Sequence, residues 1–135
     1  MTEWFKALVE ALLIPVLSLI IGIIFKRFPP KNINSFYGYR TPMSKKNEET
    51  WRFANNHSAR LLIYIGLILT PASVIPLLFL MKKSSESLAI TSLIITLVEV
   101  VVLLSSSVAT EVALRRNFER DGSRRADIEP KNKKL

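Results

Sequence analysis

Residues 61–81 read LLIYIGLILTPASVIPLLFLM and contain no charged side chain. Two similar apolar stretches occupy residues 5–28 and 88–109. A helix rises about 1.5 Å per residue, so roughly 20 residues are enough to cross a hydrocarbon core of ~30 Å. Because lipid offers the backbone no hydrogen-bond partners, such stretches fold as helices. The sequence therefore predicts an all-α integral membrane protein with three transmembrane helices.

Most charged residues lie between or after these stretches and give the chain of 135 residues a net charge of +8. Eight Lys or Arg residues occur at 26–60 and eight more at 115–134, whereas the opposite side has only Lys6, Lys82 and Lys83. Basic residues favour the cytoplasmic side of a membrane protein. We therefore expect the N-terminus outside, the first loop and the C-terminus in the cytoplasm, and contact with anionic lipid headgroups.

The composition argues against several functional classes. The chain has no cysteine and one histidine, His57, which argues against disulfides, thiol catalysis and a zinc site. Its basic residues flank apolar stretches, so lipid headgroups suit them better than nucleic acid does. The sequence shows no nucleophile with a base and no glycine-rich phosphate loop. We expect no cofactor, no metal and no nucleic acid, and we favour binding over catalysis, with a lipid-modifying enzyme left open.

Two polar features interrupt the apolar stretches. Pro71 and Pro76 favour a bend in the second span and a polar niche around Thr70 and Ser73. Glu99 lies among leucine and valine in the third span, where an ionised carboxylate costs at least roughly 3 kcal/mol. It is therefore a candidate proton or cation site, or else a protonated group that hydrogen-bonds a neighbouring hydroxyl and helps the helices pack.

The first loop, residues 29–60, contains two patterns. Residues 32–42, NINSFYGYRTP, are dense in aromatic residues and turn formers. After them Ser44 is a predicted helix N-cap, and the three- and four-residue spacing that follows predicts a short amphipathic helix over 45–60 along the inner membrane surface. Trp51 is expected to anchor this helix in the membrane interface.

Three motifs in and after this loop carry a family resemblance. They are Asn34-x-x-Tyr37-Gly38-Tyr39-Arg40-Thr41-Pro42, then Ser44-x-x-Asn47-x-x-x-Trp51-x-x-Ala54-Asn55, and, at the end of the third span, Thr110-Glu111 with Leu114-Arg115-Arg116, Phe118 and Asp121-Gly122. With them the sequence resembles the SdpI family, named for a bacterial immunity protein against a sporulation-delaying toxin. The resemblance implies a multi-pass protein of the bacterial cell membrane that protects the membrane from a toxic peptide and holds a cytoplasmic regulator on its loops.

The chain corresponds in length to the C-terminal three-span half of the six-span immunity protein. On this basis residues 1–122 are expected to form one membrane domain. Residues 123–135 are basic, contain few apolar side chains, and are expected to form a disordered cytoplasmic tail.

The candidate ligand- or partner-binding residues are the polar, aromatic and glycine positions of these motifs together with the intramembrane carboxylate. They are Asn34, Tyr37, Gly38, Tyr39, Arg40, Thr41, Asn47, Trp51, Asn55, Glu99, Glu111 and Arg115. Arg40 suits a phosphate or carboxylate, and its candidate targets are Glu111 and a lipid phosphate. Glu111 could equally pair with Arg115, one helical turn further on.

Two alternative functions remain open at this point. One is a small transporter or channel subunit that uses Glu99, which requires a homo-oligomer because three helices enclose little volume. The other is a lipid-phosphate site, or a membrane enzyme, at the inner leaflet, built from Arg40, Tyr39, Asn47 and Glu111.

Overall fold

The computed structural model describes residues 1–127 and contains three helices. They are α1 (Thr2–Arg27), α2 (Glu48–Phe79) and α3 (Ser85–Asn117). All three are long and apolar enough to cross a membrane, and the described residues form no strand, only one isolated bridge between Phe118 and Arg124. The predicted all-α class with three transmembrane helices is confirmed.

Consecutive helices run antiparallel, so the bundle has two distinct ends. The end of α1, the start of α2 and the end of α3 lie together, and we refer to this end as the loop end. The connecting loop, residues 28–47, covers it. The tight turn between α2 and α3 lies at the opposite end together with Met1.

Two glycines allow α1 and α2 to approach closely. A Cβ atom on Gly22 would lie 2.8 Å from the backbone nitrogen of Ile63, and one on Gly66 would lie 2.8 Å from the carbonyl oxygen of Pro15. Between these contacts, Ser18 donates a hydrogen bond of 3.0 Å to the carbonyl of Leu62. In lipid, helices associate through such close packing and polar contacts rather than through apolar burial.

Most of the large apolar side chains in the three spans point outward. Ile68 is 66% exposed, Val101 is 62% exposed and Leu104 is 64% exposed, whereas small residues such as Ala11 and Ser73 are buried between the helices. A water-soluble bundle would show the opposite arrangement. The outer surface of this bundle is therefore suited to contact lipid.

The helix predicted over residues 45–60 is present from Glu48 onward, but it is the first part of α2 rather than a short element of its own. The helix begins at Glu48 and continues unbroken to Phe79, because the apolar second span follows with no glycine or proline to end the helix at residue 60. The N-cap is Asn47 rather than Ser44, since Asn47 and Thr50 form a reciprocal capping box. With 32 residues, α2 is about 48 Å long and exceeds a hydrocarbon core of ~30 Å.

The chain folds back on itself after α3. The backbone nitrogen of Arg125 bonds the carbonyl of Asn117 at 3.0 Å, and Arg124 lies 2.7 Å from a carboxylate oxygen of Glu49 on α2. Residues 123–125, the start of the tail that was predicted to be disordered, are thus held against the bundle by the contacts of Arg124 and Arg125. Residues 128–135, the remainder of that prediction, lie outside the described residues.

Candidate functional site

Trp51 fixes the start of the connecting loop to α2. Its side chain is fully buried, and its indole nitrogen donates a hydrogen bond of 2.7 Å to the carbonyl of Pro30. Pro29 and Pro30 leave this part of the loop with no N–H groups of its own. The expectation that Trp51 faces the membrane interface was wrong, because the ring fills the space beneath the loop.

Asn55 fixes the centre of the loop. Its side-chain oxygen accepts a hydrogen bond of 2.7 Å from the backbone nitrogen of Tyr39, and its side-chain nitrogen donates to the carbonyl of Trp51 at 2.9 Å. Gly38 has φ of 107°, and a Cβ atom there would lie 2.5 Å from the Asn55 oxygen. Only glycine therefore fits both the backbone conformation and the space at position 38.

The end of the motif is held by α3. The Tyr39 hydroxyl donates to the carbonyl of Ser107 at 2.8 Å, and the Thr41 hydroxyl donates to Glu111 at 3.0 Å. Glu111 also accepts a hydrogen bond of 3.2 Å from Arg115. Burial, and secondarily the Glu111 carboxylate, raises the pKa of the Tyr39 hydroxyl to about 12.

Arg40 does not contact Glu111, so the pairing considered from sequence was wrong. Its side chain is exposed, and its guanidinium donates to the carbonyl of Ser35 within the same loop. Glu111 is instead shared by Thr41 and Arg115, which lie nearer to it. The guanidinium is thereby presented on the outer surface of the loop.

Asn47 is also separate from this cluster. Its side-chain oxygen accepts from the Thr50 backbone at 2.9 Å, and its side-chain nitrogen donates to the carbonyl of Gly122 at 2.6 Å. The four residues proposed for a lipid-phosphate site therefore do not converge: Tyr39 and Glu111 meet, whereas Arg40 and Asn47 lie elsewhere.

An open groove of about 680 Å³ runs along the outer side of the loop. Asn34 shapes it by accepting hydrogen bonds from the backbone nitrogens of Phe36 and Tyr37, at 2.9 and 3.0 Å. Phe36 is 90% exposed, and two cations, Arg27 and Lys31, line the same groove. These two cations and Phe36 are not among the candidate residues predicted from the sequence. The signal available for them was a pair of basic residues on either side of Pro29-Pro30, followed by an aromatic pair.

The profile of the SdpI/YfhL protein family matches residues 31–109, which is more than half of the chain and includes the whole loop motif. The chain belongs to the SdpI/YfhL family. It is also similar to YfhL of Bacillus subtilis (strain 168), an uncharacterized protein, with 51% identity over 53 residues. That alignment covers 39% of this chain and 48% of the relative, so the chain matches about half of the relative's length. No solved structure matches.

In this member of the SdpI/YfhL family, most of the motif positions serve the fold of the loop. Asn34, Gly38, Thr41, Trp51 and Asn55 each satisfy a backbone group, occupy a tight space or bond a neighbouring element. Among the named positions of the loop motif, residues 34–42, the structure leaves Tyr37, Arg40 and Pro42 exposed.

Glu99 lies within the family match but far from the loop. It is 1% exposed, and one carboxylate oxygen accepts a hydrogen bond of 2.5 Å from the Ser73 hydroxyl on α2. Thr70 bonds the carbonyl of Gly66 on its own helix instead. Of the niche predicted around Thr70 and Ser73, only Ser73 meets the carboxylate. Within residues 1–127, the acidic residues and His57 form no cluster that could hold a metal ion.

Proposed function

We propose that this chain is a membrane-embedded binding protein of the immunity type, which protects the membrane from a toxic peptide and presents its connecting loop to a partner in the cytoplasm. Membership of the SdpI/YfhL family supports the first part. The observation that carries the proposal is that the family motif forms a rigid loop tied to both α2 and α3, with an aromatic and basic outer surface.

The rigidity of the loop follows from its attachment points. Trp51 holds Pro30, Asn55 holds Tyr39, and on α3 Glu111 holds Thr41. A surface held in advance loses little conformational entropy when a partner binds. The loop is therefore preorganised for recognition.

The chemistry of the groove indicates the kind of partner. Arg27 and Lys31 supply positive charge next to the rings of Phe36 and Tyr37. Exposed aromatic residues are common anchors in interfaces, and the charges favour an acidic partner. The groove thus suits an acidic protein segment that carries an apolar side chain.

We infer that the loop end faces the cytoplasm. The antiparallel helices bring the basic segments 26–60 and 115–127 to one end of the bundle, as the positive-inside rule requires of a cytoplasmic surface. The chain has no cysteine, so single cysteines can report on this orientation. We expect Ser85→Cys in intact cells to react with a membrane-impermeant maleimide, and Ser35→Cys to react only after permeabilisation. The reverse pattern would contradict the orientation.

Immunity is tested by expressing the chain in a bacterium that is sensitive to the sporulation-delaying toxin. We expect the chain to reduce killing, and we expect Trp51→Ala to abolish protection because the loop loses its support. Arg40→Ala removes an exposed charge without a structural contact beyond the loop, and we expect it to lower protection while the protein stays folded. Lys82→Ala, at the opposite end, is the matched control. Unchanged killing at confirmed membrane levels of the chain would exclude the immunity function.

A further inference from the structure

Polar side chains follow one face of α3 through the middle of the bundle. Ser92, Glu99 and Thr110 are all buried, and their spacings of seven and eleven residues place them on the same side of the helix. Each of them meets a polar group of another helix. Ser92 lies 3.4 Å from Glu10 of α1, and Thr110 lies 3.1 Å from the His57 ring of α2.

Glu99, at the centre of this face, is only half satisfied. Its first carboxylate oxygen accepts the hydrogen bond from Ser73, but its second is buried and has no hydrogen-bond partner within residues 1–127. A buried carboxylate oxygen without a donor is costly, and more so in a membrane, where water is scarce. The second carboxylate oxygen of Glu99 is therefore a place where a proton or a small cation can bind.

The number of available ligand atoms decides between a metal cation and a proton. Hard metal cations take about six or more oxygen ligands, whereas the described groups that meet here are one carboxylate and one hydroxyl. A proton needs a single lone pair, and the second oxygen of Glu99 offers one. We propose that Glu99 is a proton-binding site within the membrane, which holds its proton on the oxygen opposite Ser73.

The protonated oxygen becomes a donor and needs an acceptor, and α2 has one carbonyl in this region that lacks its usual helical donor. Pro76 has no N–H, so the carbonyl of Ala72 receives no helical hydrogen bond from it. Ala72 is the neighbour of Ser73 in the chain.

Other titratable groups on this face are distant. Glu10 contacts Ser92, which lies seven residues or about 10 Å along α3 from Glu99. His57 contacts Thr110, which lies eleven residues or about 16 Å from Glu99. These gaps exceed hydrogen-bond reach, so the face is not a continuous proton wire in this conformation. Glu99 binds a proton locally, and this conclusion does not depend on the immunity function.

Infrared difference spectroscopy of the chain in lipid nanodiscs tests this inference, because a protonated carboxyl has its own C=O stretch that shifts in D₂O. We expect the wild type to show such a band, whose intensity falls as the pH is raised and Glu99 loses its proton. Glu99→Gln should remove it, and Glu10→Gln, the matched control, should retain it. A wild type without a pH-dependent carboxyl band, or a band that survives in Glu99→Gln, would overturn the proposal.

Ser73→Ala gives a second, less disruptive variant. The Ser73 hydroxyl donates to the carboxylate, which stabilises the ionised form. Without it, the ratio of protonated to ionised Glu99 at a given pH should rise by about tenfold. Thr70→Ala, whose hydroxyl bonds its own helix, should leave the ratio unchanged. An unchanged ratio in Ser73→Ala would remove Ser73 from the site and refute the arrangement described above.

Discussion

The indole nitrogen of Trp51 lies 2.7 Å from the carbonyl oxygen of Pro30, a residue 21 positions earlier in the chain. The hydrogen bond joins the loop to the first turn of α2 at the point where the two prolines deprive the loop of its own donors. Because the ring is fully buried, it supports the loop both by this bond and by its volume.

We predict that these two contributions can be separated by substitution. Trp51→Phe keeps most of the ring but leaves the Pro30 carbonyl without its donor, which should cost about 1 kcal/mol. Trp51→Ala also opens a cavity and should cost about 3–5 kcal/mol. Thermal unfolding in detergent, together with proteolysis of the connecting loop, measures both effects. Phe36→Ala, at a side chain that is 90% exposed, is the control and should change neither. Equal stability of the Phe and Ala variants would contradict the assignment.

Gly38→Ala should disorder the centre of the connecting loop. The substitution forces a side chain into a backbone with φ of 107° and places its Cβ 2.5 Å from Asn55, so we expect a cost of at least about 1 kcal/mol. Amide hydrogen exchange over residues 28–47 is the measurement. Asn32→Ala in the same loop should have little effect, because the contact from Asn32 is made by its backbone carbonyl. Loop exchange as slow in Gly38→Ala as in the wild type would show that the space at position 38 is not limiting.

Tyr39 should be a late-titrating tyrosine whose ionisation weakens the loop. Its pKa is raised to about 12 from an ordinary value of 10.0, so the folded state retains a proton that the unfolded chain has lost. Stability from this residue is therefore complete below about pH 10 and declines as the pH rises towards about 12. Alkaline absorbance titration of the wild type minus Tyr39→Phe isolates this step.

Glu111→Gln provides the companion measurement for Tyr39. Removing the negative charge should lower the Tyr39 pKa, while burial keeps it above its ordinary value. A Tyr39 titration that is indifferent to Glu111→Gln would argue against their proximity.

Asn47→Ala should lower the free energy of unfolding more than Ser84→Ala, the equivalent change at the N-cap of α3. Asn47 caps α2 within a capping box and also bonds Gly122, whereas Ser84 makes only exposed contacts with Ser87, one to its backbone nitrogen at 3.3 Å and one to its hydroxyl at 3.0 Å. A lost cap costs about 1 kcal/mol, and the loss of the bond to Gly122 adds a comparable amount. Chemical unfolding of Asn47→Ala against Ser84→Ala makes the comparison. A larger effect from Ser84→Ala would reverse this conclusion.

The sequence predicted the three membrane spans well because the length of an apolar stretch decides whether it can cross lipid, but it did not predict how far α2 and α3 extend beyond their apolar stretches. It predicted the roles of the loop residues poorly, since those depend on which backbone groups the folded loop leaves without partners. Trp51 and Asn55 serve carbonyl and amide groups that come within reach only after the chain has folded. Glu111 was one of two candidate targets predicted for Arg40, whereas its guanidinium bonds the carbonyl of Ser35 in the loop itself.

The sequence does contain a signal for the observed N-cap of α2. Asn47-x-x-Thr50 is a capping-box pattern, and it begins three residues after Ser44, the residue that was predicted as the N-cap. Ser44 in fact stabilises the turn that precedes the helix, where its hydroxyl bonds the backbone of Thr41.

The unbroken α2 helix links the two regions of interest as a lever. Ser73 and Trp51 are 22 residues apart on this one helix, a separation of about 33 Å. Tilting α2 by about 10° at the prolines around Ser73 would swing the connecting loop by roughly 6 Å, by the geometry of a rigid rod of that length. A tilt of this size at Ser73 would therefore displace the connecting loop much further than it displaces Ser73 itself.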